Sequence, residues 1–187
     1  MTVESIIRPV CGKYNIPYTI GRGYSSLPAR HKIVQRFEQS GKDRLLLLIL
    51  SDFDPDGIVI CESLLQSLRE DFGAVADAVR VGLNPEQIER FGLVSDFATP
   101  KKSSPQYKKF IEIYSEQAKV YELEALTPEQ LKIILKETID QVIDIEAFNA
   151  ELEAEKQDAR YLQAFRESVS KTVLDLLESE DWQNGDS

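Results

Sequence analysis

The residues most suited to chemistry lie in the segment 51–57, which reads S-D-F-D-P-D-G and directly follows an apolar run. Side chains two apart on an extended chain point to the same side, so Asp52 and Asp54 are expected to converge. Pro55 favours an extended backbone at Asp54, and Gly57 permits a tight turn or close approach of the backbone. The pattern predicts two carboxylates at the carboxyl end of a strand, the edge where open α/β sheets bind ligands.

This group of carboxylates favours binding of a hard divalent cation. Asp52 and Asp54, with Asp56 as a third ligand, would repel one another unless a cation or protons lay between them. The nearby ligands are oxygens, without His or Cys beside them, which favours Mg²⁺ or Mn²⁺ over zinc. Because Mg²⁺ retains several waters and binds phosphate oxygens, phosphoryl or phosphodiester chemistry follows.

The same residues also fit a calcium loop, a phosphatase motif and a structural turn. Residues 52–57 match the first half of a calcium-binding EF-hand loop, but the twelfth position is Ser63 instead of glutamate. A D-x-D pair after an apolar strand begins phosphatases of the haloacid dehalogenase type, which would carry Thr or Val where Asp56 stands. A structural turn and helix cap is the third alternative to a magnesium site, since Asp and Pro are common turn residues.

Basic residues and glycines precede the carboxylates. Gly21 and Gly23 flank Arg22 and would allow the backbone to approach a phosphate, or would simply form a turn. Arg30 and Lys32 follow in a predicted helix, and phosphate contacts dominate the affinity of proteins for nucleic acid. We therefore predict phosphate contacts for these three basic side chains, with a solvated helix face as the alternative.

The segment 95–107 is a second basic region, rich in Pro, Ser and Lys, and it predicts an exposed loop. Its lysines could contact a nucleic-acid backbone, although a solubilising charge run is the simpler interpretation. The lysines in and beside this loop are Lys101, Lys102, Lys108 and Lys109.

The remaining pattern predicts the elements that position these residues. Helices are predicted over 5–14, 27–39, 57–72, after the cap Asn84, over 127–143, and over 148–178 as one helix or two, and strands are predicted over 18–20, 45–51 and 78–83. The alternation of strand and helix predicts a doubly wound α/β core of three or four parallel strands. The continuous apolar run 45–51 predicts burial on both faces, and Glu122 and Glu124 alternate on an apparent short strand.

Charge divides the chain unevenly. The net charge is −10, yet residues 1–110 carry 15 Lys and Arg against 13 Asp and Glu, whereas residues 111–187 carry 7 against 19. We expect an α/β core over 1–110 and an acidic, mainly helical extension over 111–187, which would pack on the core or on a partner protein. The sequence has no apolar run near the roughly 20 residues that span a bilayer, and no signal peptide, so a cytoplasmic protein without a membrane partner is expected.

Three segments together resemble the Toprim domain, and more narrowly its version in the A subunit of topoisomerase VI and in related bacterial Toprim proteins. Residues 52–57 are similar to the family's D-x-D-P-x-G metal motif. Residues 20–24, I-G-R-G-Y, resemble its glycine turn, with Arg30 matching a basic residue beyond it. Residues 121–126, Y-E-L-E-A-L, resemble a segment that follows the Toprim core. The segments occur in the expected order and cover roughly residues 18–143.

The resemblance implies a Toprim-like doubly wound fold with a small, mostly parallel sheet, and Mg²⁺ held by Asp52 and Asp54. It also implies a catalytic glutamate at the end of the first strand. Glu4 is the only acidic residue before the first predicted helix. Too little chain precedes it for a buried strand, so that strand is expected to be missing or truncated. Glu4 is then either a displaced equivalent or an ordinary first-turn helix acid.

Two functions follow from these features. The first is a Mg²⁺-dependent protein that acts on nucleic-acid phosphodiesters, as a nuclease or as a component of a topoisomerase-like assembly. The second is a non-catalytic, truncated Toprim module that serves in binding or assembly with a partner protein.

Overall fold

A computed structural model describes residues 2–21, 26–95 and 99–179. The elements in chain order are α1 (Val3–Lys13), α2 (Leu27–Ser40), β1 (Leu46–Leu50), α3 (Ile60–Phe72), β2 (Asp77–Gly82), α4 (Pro85–Arg90), α5 (Tyr107–Tyr114), a 3-10 turn (Leu123–Ala125), α6 (Pro128–Val142) and α7 (Ile145–Ser179). The chain forms two compact units, Met1–Ile139 and Asp140–Ser187, so position 110 lies inside the first unit.

The sheet consists of β1 and β2, which run parallel with α3 as the connection between them. Leu46 lies opposite Asp77 and Ile49 opposite Arg80, and the register shifts at the carboxyl end, where Leu50 lies opposite Gly82. The predicted α/β class with a small parallel sheet is therefore confirmed. The predicted number of three or four strands is wrong, because the described residues form two.

The segment 18–20 forms no strand, contrary to the sequence-based prediction. Its polar groups bond to a side chain instead of to a neighbouring strand: the Arg36 guanidinium donates to the Tyr18 carbonyl oxygen at 3.3 Å and to the Thr19 hydroxyl at 2.6 Å. A short segment with such a partner does not depend on a strand ladder to satisfy its backbone.

The prediction that β1 is buried on both faces is also wrong. Leu46 is 41% exposed, and the rest of β1 is half-buried. A two-stranded sheet leaves each strand with one unpaired edge, so an apolar strand in it is covered less completely than a central strand of a larger sheet.

The core of the first unit lies where α3, β2, α5 and α6 meet. The largest fully buried side chains are Phe110, Leu68, Leu83, Leu131, Ile134, Ile139 and Val81. Helix α3 begins at Ile60 instead of at the predicted Gly57, because turn hydrogen bonds occupy the preceding residues, from the Ile58 N–H to the Asp54 carbonyl and from the Val59 N–H to the Asp56 carbonyl.

Helix α4 begins with the predicted cap. The Asn84 side chain accepts from the Gln87 N–H at 3.0 Å, and the Gln87 side chain accepts from the Asn84 N–H at 3.2 Å. Gln87 also donates to the Val81 carbonyl at 2.6 Å, which ties the start of α4 to β2.

We expect Asn84→Ala to lower the free energy of unfolding by about 1 kcal/mol, as measured by urea titration. Glu89→Ala, at an exposed position of the same helix, is the control and should stay within about 0.5 kcal/mol.

Helix α7 is continuous from Ile145 to Ser179, and the predicted helix over 148–178 is confirmed as one helix. Eight of its large apolar side chains are between 46% and 71% exposed, namely Tyr161, Leu162, Phe165, Val169, Val173, Leu174, Leu176 and Leu177. Polar residues are interspersed with these apolar side chains along α7. In the described ranges, no helix is both long and apolar enough to cross a bilayer.

Candidate metal and phosphate site

The candidate site lies at the carboxyl edge of the two parallel strands. The loop that follows β1 carries Asp52 and Asp54, and Arg80 lies near the carboxyl end of β2. Because β1 and β2 run in the same direction and Ile49 lies opposite Arg80, both strands bring these side chains to the same edge. Two acidic groups and one cationic group therefore share a small region of the first unit.

The Asp52 carboxylate is half-buried and has a backbone partner. Its Oδ1 accepts from the Leu123 N–H at 2.8 Å. Burial raises the pKa of Asp52, the Leu123 hydrogen bond opposes that rise, and the negative charges of Asp54, Glu124 and Glu122 add to it. The three nearby negative charges disfavour the ionised form of Asp52, and a bound cation would offset their repulsion.

The Asp54 carboxylate closes the turn that leads toward α3. Its Oδ1 accepts from the Gly57 N–H at 2.6 Å. A Cβ atom placed on Gly57 would lie 2.1 Å from the Asp52 carbonyl oxygen and 3.0 Å from Asp54 Oδ1. The loop therefore has no room for a side chain at position 57, because the chain folds back onto its own backbone there.

A short antiparallel bridge brings a distant segment to this loop. The Phe53 N–H donates to the Tyr121 carbonyl at 2.8 Å, and the Tyr121 N–H donates to the Phe53 carbonyl at 3.0 Å. This pairing brings the Leu123 N–H within hydrogen-bond distance of Asp52. On the other side, the Phe53 ring packs edge-on against Phe110 and Tyr114, with centroids 5.4 Å and 4.8 Å away. The loop is thus fixed by backbone pairing above an aromatic cluster.

Arg80 was not singled out by the sequence analysis, yet it contacts the loop directly. Its guanidinium donates to the Asp52 carbonyl oxygen at 2.7 Å and to the Ser51 hydroxyl at 3.2 Å, and it lies 5.9 Å from the centroid of the Phe53 ring. Burial lowers the pKa of Arg80, and the nearby Asp54 and Asp52 are among the groups that oppose this. The sequence feature that could have pointed to Arg80 is its position as one basic residue inside the otherwise apolar strand A-V-R-V-G.

Asp56 and the two glutamates lie around the margin of the site. Asp56 is exposed, and its Oδ1 accepts from the Ser104 hydroxyl at 2.9 Å. Glu122 and Glu124 act on Asp52 through their charge. The short strand predicted for them is wrong: Glu122 precedes, and Glu124 lies within, the 3-10 turn Leu123–Ala125, because the pairing of this segment with the loop stops at Tyr121.

Glu4 lies in the first turn of α1, where it forms an ion pair with Arg8 and accepts from the Tyr18 hydroxyl at 3.3 Å. The Arg8 hydrogen bond lowers the pKa of this carboxyl. Glu4 is not among the charges that act on Asp52. The residue therefore occupies the position of an N-terminal helix acid.

The basic residues that were predicted to contact phosphate are distributed over α2 and the segment before it. Arg30 donates to the Ser67 hydroxyl at 2.6 Å and lies 3.9 Å from the Asp71 carboxylate, so its guanidinium joins α2 to α3. Lys32 lines an open groove with Tyr18, Thr19, Gln35, Arg36 and Gln39. Gly21 lies in an irregular segment, and Arg22 and Gly23 fall outside the described residues.

Two carboxylates, those of Asp52 and Asp54, are the groups at this edge that could hold a divalent cation. In the parts of the chain that the structure describes, no three His, Cys, Asp or Glu side chains are grouped to hold a metal. Asp52 and Asp54 each accept a backbone N–H through one oxygen, and the other oxygen has no hydrogen-bond partner among the residues that the structure describes. Mg²⁺ commonly binds a protein through one or two carboxylates and completes its shell with water and phosphate oxygens.

No family model, curated protein or solved structure matches this chain. Its function therefore has to be inferred from the geometry of its own residues. The geometry provides two anchored carboxylates, an adjacent guanidinium and a loop that tolerates no side chain at Gly57.

Proposed function

We propose that this chain is a Toprim-like protein that binds Mg²⁺ through Asp52 and Asp54 and acts on nucleic-acid phosphodiesters, as a nuclease or as a component of a topoisomerase-like assembly. The observation that carries the proposal is that these two carboxylates, each held by a backbone N–H, lie at the carboxyl edge of the parallel strands β1 and β2. The order β1–α3–β2, with D-x-D-P-x-G between β1 and α3, supports a Toprim-like fold.

Each residue of the site has a distinct role under this proposal. Asp52 and Asp54 would hold the ion through their carboxylates, and the N–H groups of Leu123 and Gly57 hydrogen-bond to one oxygen of each. Arg80 fixes the backbone at Asp52 and adds positive charge beside the two acids. The bound ion would supply polarisation of a phosphodiester oxygen.

A second function, as a non-catalytic module for binding or assembly, is favoured by the position of Glu4. The resemblance to the Toprim domain implies a catalytic glutamate near the two aspartates. Glu4 instead lies on α1, where it forms an ion pair with Arg8 and a hydrogen bond with Tyr18. The exposed apolar side chains of α7 would provide such a module with a surface for a partner protein.

Thermal melting with Mg²⁺ tests the metal site. A ligand that binds only the folded state stabilises it by about 2.7 kcal/mol at a concentration 100 times its Kd. We expect saturating Mg²⁺ to raise the melting temperature of the wild-type chain, and Asp54→Asn to abolish the rise. Asparagine keeps the oxygen that accepts from the Gly57 N–H and removes only the charge.

Asp43→Asn is the matched control, since Asp43 is exposed in the turn before β1, at the opposite edge of the sheet. An equal rise of the melting temperature with Mg²⁺ in Asp54→Asn and Asp43→Asn would exclude a metal at this site.

Conversion of supercoiled plasmid to open circles, with and without Mg²⁺, then separates the two functions. A nuclease loses this conversion in Asp54→Asn, whereas a binding module shows none in the wild type.

A further inference from the structure

We infer that the segment 99–109, here called the basic loop, is the surface on which the phosphate backbone of a nucleic-acid strand docks beside the carboxylates. This inference rests on the proposed function and extends it, because it assigns the residues that hold the backbone of the nucleic acid on either side of the reacting phosphate. Three lysines and one serine of the basic loop carry the argument: Lys101, Lys102, Lys108 and Ser104.

A specific contact fastens the basic loop to the carboxylate loop. The Ser104 hydroxyl donates to Asp56 Oδ1 at 2.9 Å, across 48 positions of sequence. The same hydroxyl accepts from the Gln106 N–H at 3.1 Å, and the Ser104 N–H donates to the Lys101 carbonyl at 3.0 Å. Lys101 is therefore in a hydrogen-bonded turn that begins three residues before the contact with Asp56, and Asp56 is two residues from Asp54.

The charges of the basic loop are mostly uncompensated. Lys109 pairs with Glu62 at 2.6 Å. Lys101, Lys102 and Lys108 are exposed and have no ion-pair partner among the residues that the structure describes. These three ammonium groups thus adjoin an acidic site in a chain whose net charge is −10. Phosphate groups are the partners that this arrangement suits best.

The lysines of the basic loop lie on both sides of Ser104 in the sequence, Lys101 and Lys102 before it and Lys108 after it. A small phosphate ester presents one phosphate group, whereas the loop presents three exposed ammonium groups without an ion-pair partner among the described residues. Each strand of a DNA duplex presents one phosphate for about every 3.4 Å of helix axis, so phosphates on either side of the reacting one can meet lysines on both sides of Ser104. Under the alternative hypothesis, the lysines only keep the loop soluble.

Salt-dependent binding separates these two roles of the lysines. The variant Lys101→Gln/Lys102→Gln/Lys108→Gln is compared with Lys42→Gln/Lys136→Gln/Lys171→Gln, which removes the same charge from three exposed lysines elsewhere in the chain. Binding of fluorescein-labelled duplex and single-stranded DNA oligonucleotides is measured by anisotropy over a range of salt concentrations. The buffer contains EDTA, so that the result does not depend on metal binding.

We expect the loop variant to lower the slope of log Kd against log salt concentration by about 2 to 3 for duplex DNA, because each neutralised phosphate contributes about 0.9. The control variant should change the slope by less than about 1. Equal slopes in the two variants, or wild-type binding too weak to detect, would overturn the inference. Metal-dependent melting and its loss in Asp54→Asn are measured separately, so a failure of the basic loop and a failure of the metal site give different results.

Discussion

Replacing Gly57 with alanine is expected to lower the free energy of unfolding of the first unit by about 3 kcal/mol, at the upper end of the usual cost of overpacking. The new Cβ would lie 2.1 Å from the Asp52 carbonyl oxygen. That oxygen cannot easily retreat, because the Arg80 guanidinium donates to it at 2.7 Å. Relief of the clash must therefore separate the turn from the end of β1.

Urea unfolding followed by near-ultraviolet circular dichroism of the tyrosines measures this effect, since Tyr114 and Tyr121 lie beside the loop. Gly12→Ala provides a matched control. Gly12 lies in helix α1, and a Cβ added there would meet no atom within 4 Å, so alanine should stabilise the chain by about 0.5 to 1 kcal/mol. A loss below about 1 kcal/mol for Gly57→Ala would show that the loop adapts to a side chain.

Phe110→Ala is expected to lower the free energy of unfolding by about 3 to 5 kcal/mol, because it leaves a cavity in a fully buried cluster. Phe110 is 0% exposed, and its ring lies 5.4 Å from that of Phe53 and 5.2 Å from that of Tyr114. If Asp52 and Asp54 bind Mg²⁺ as proposed, the same substitution should weaken that binding, because Phe53 lies between the two aspartates in sequence and its ring packs against Phe110.

Phe165→Ala is the control for the cavity, because Phe165 is 59% exposed on α7 and its loss should change the free energy of unfolding by less than about 0.5 kcal/mol. Urea titration of both variants, followed by Mg²⁺ titration of each under folding conditions, gives the comparison. Similar stability for the two variants would mean that the aromatic cluster contributes little to the loop.

Local signals predicted the elements around the site well. The apolar run before Asp52 became β1, the Asn84-Pro85 pair became the start of α4, and the helix between the strands became α3. Each of these depends on residues that are neighbours in sequence. The apolar run alone could not reveal how many strands would pair or how deeply they would be covered, since both depend on contacts far along the chain.

The hydrogen bonds of the site also divide into local ones, which the sequence could predict, and long-range ones, which it could not. The turn at Asp54 and Gly57 follows from adjacent residues, whereas the contact of Arg80 with Asp52 spans 28 positions and that of Leu123 spans 71. Sequence spacing could not predict these two contacts, because they depend on strand register and on the Phe53–Tyr121 bridge. Arg22 and Gly23 lie outside the described residues and stay predictions.

The bond between Asp52 and the N–H of Leu123 has a consequence for biosynthesis. During translation, Asp52 is synthesised 71 residues before Leu123, so the acidic loop forms before its backbone donor exists. A nascent chain stalled before Leu123 would carry the aspartates without the backbone donor that orients the first of them. Completion of the site therefore depends on the synthesis of a segment that supplies a backbone donor to Asp52.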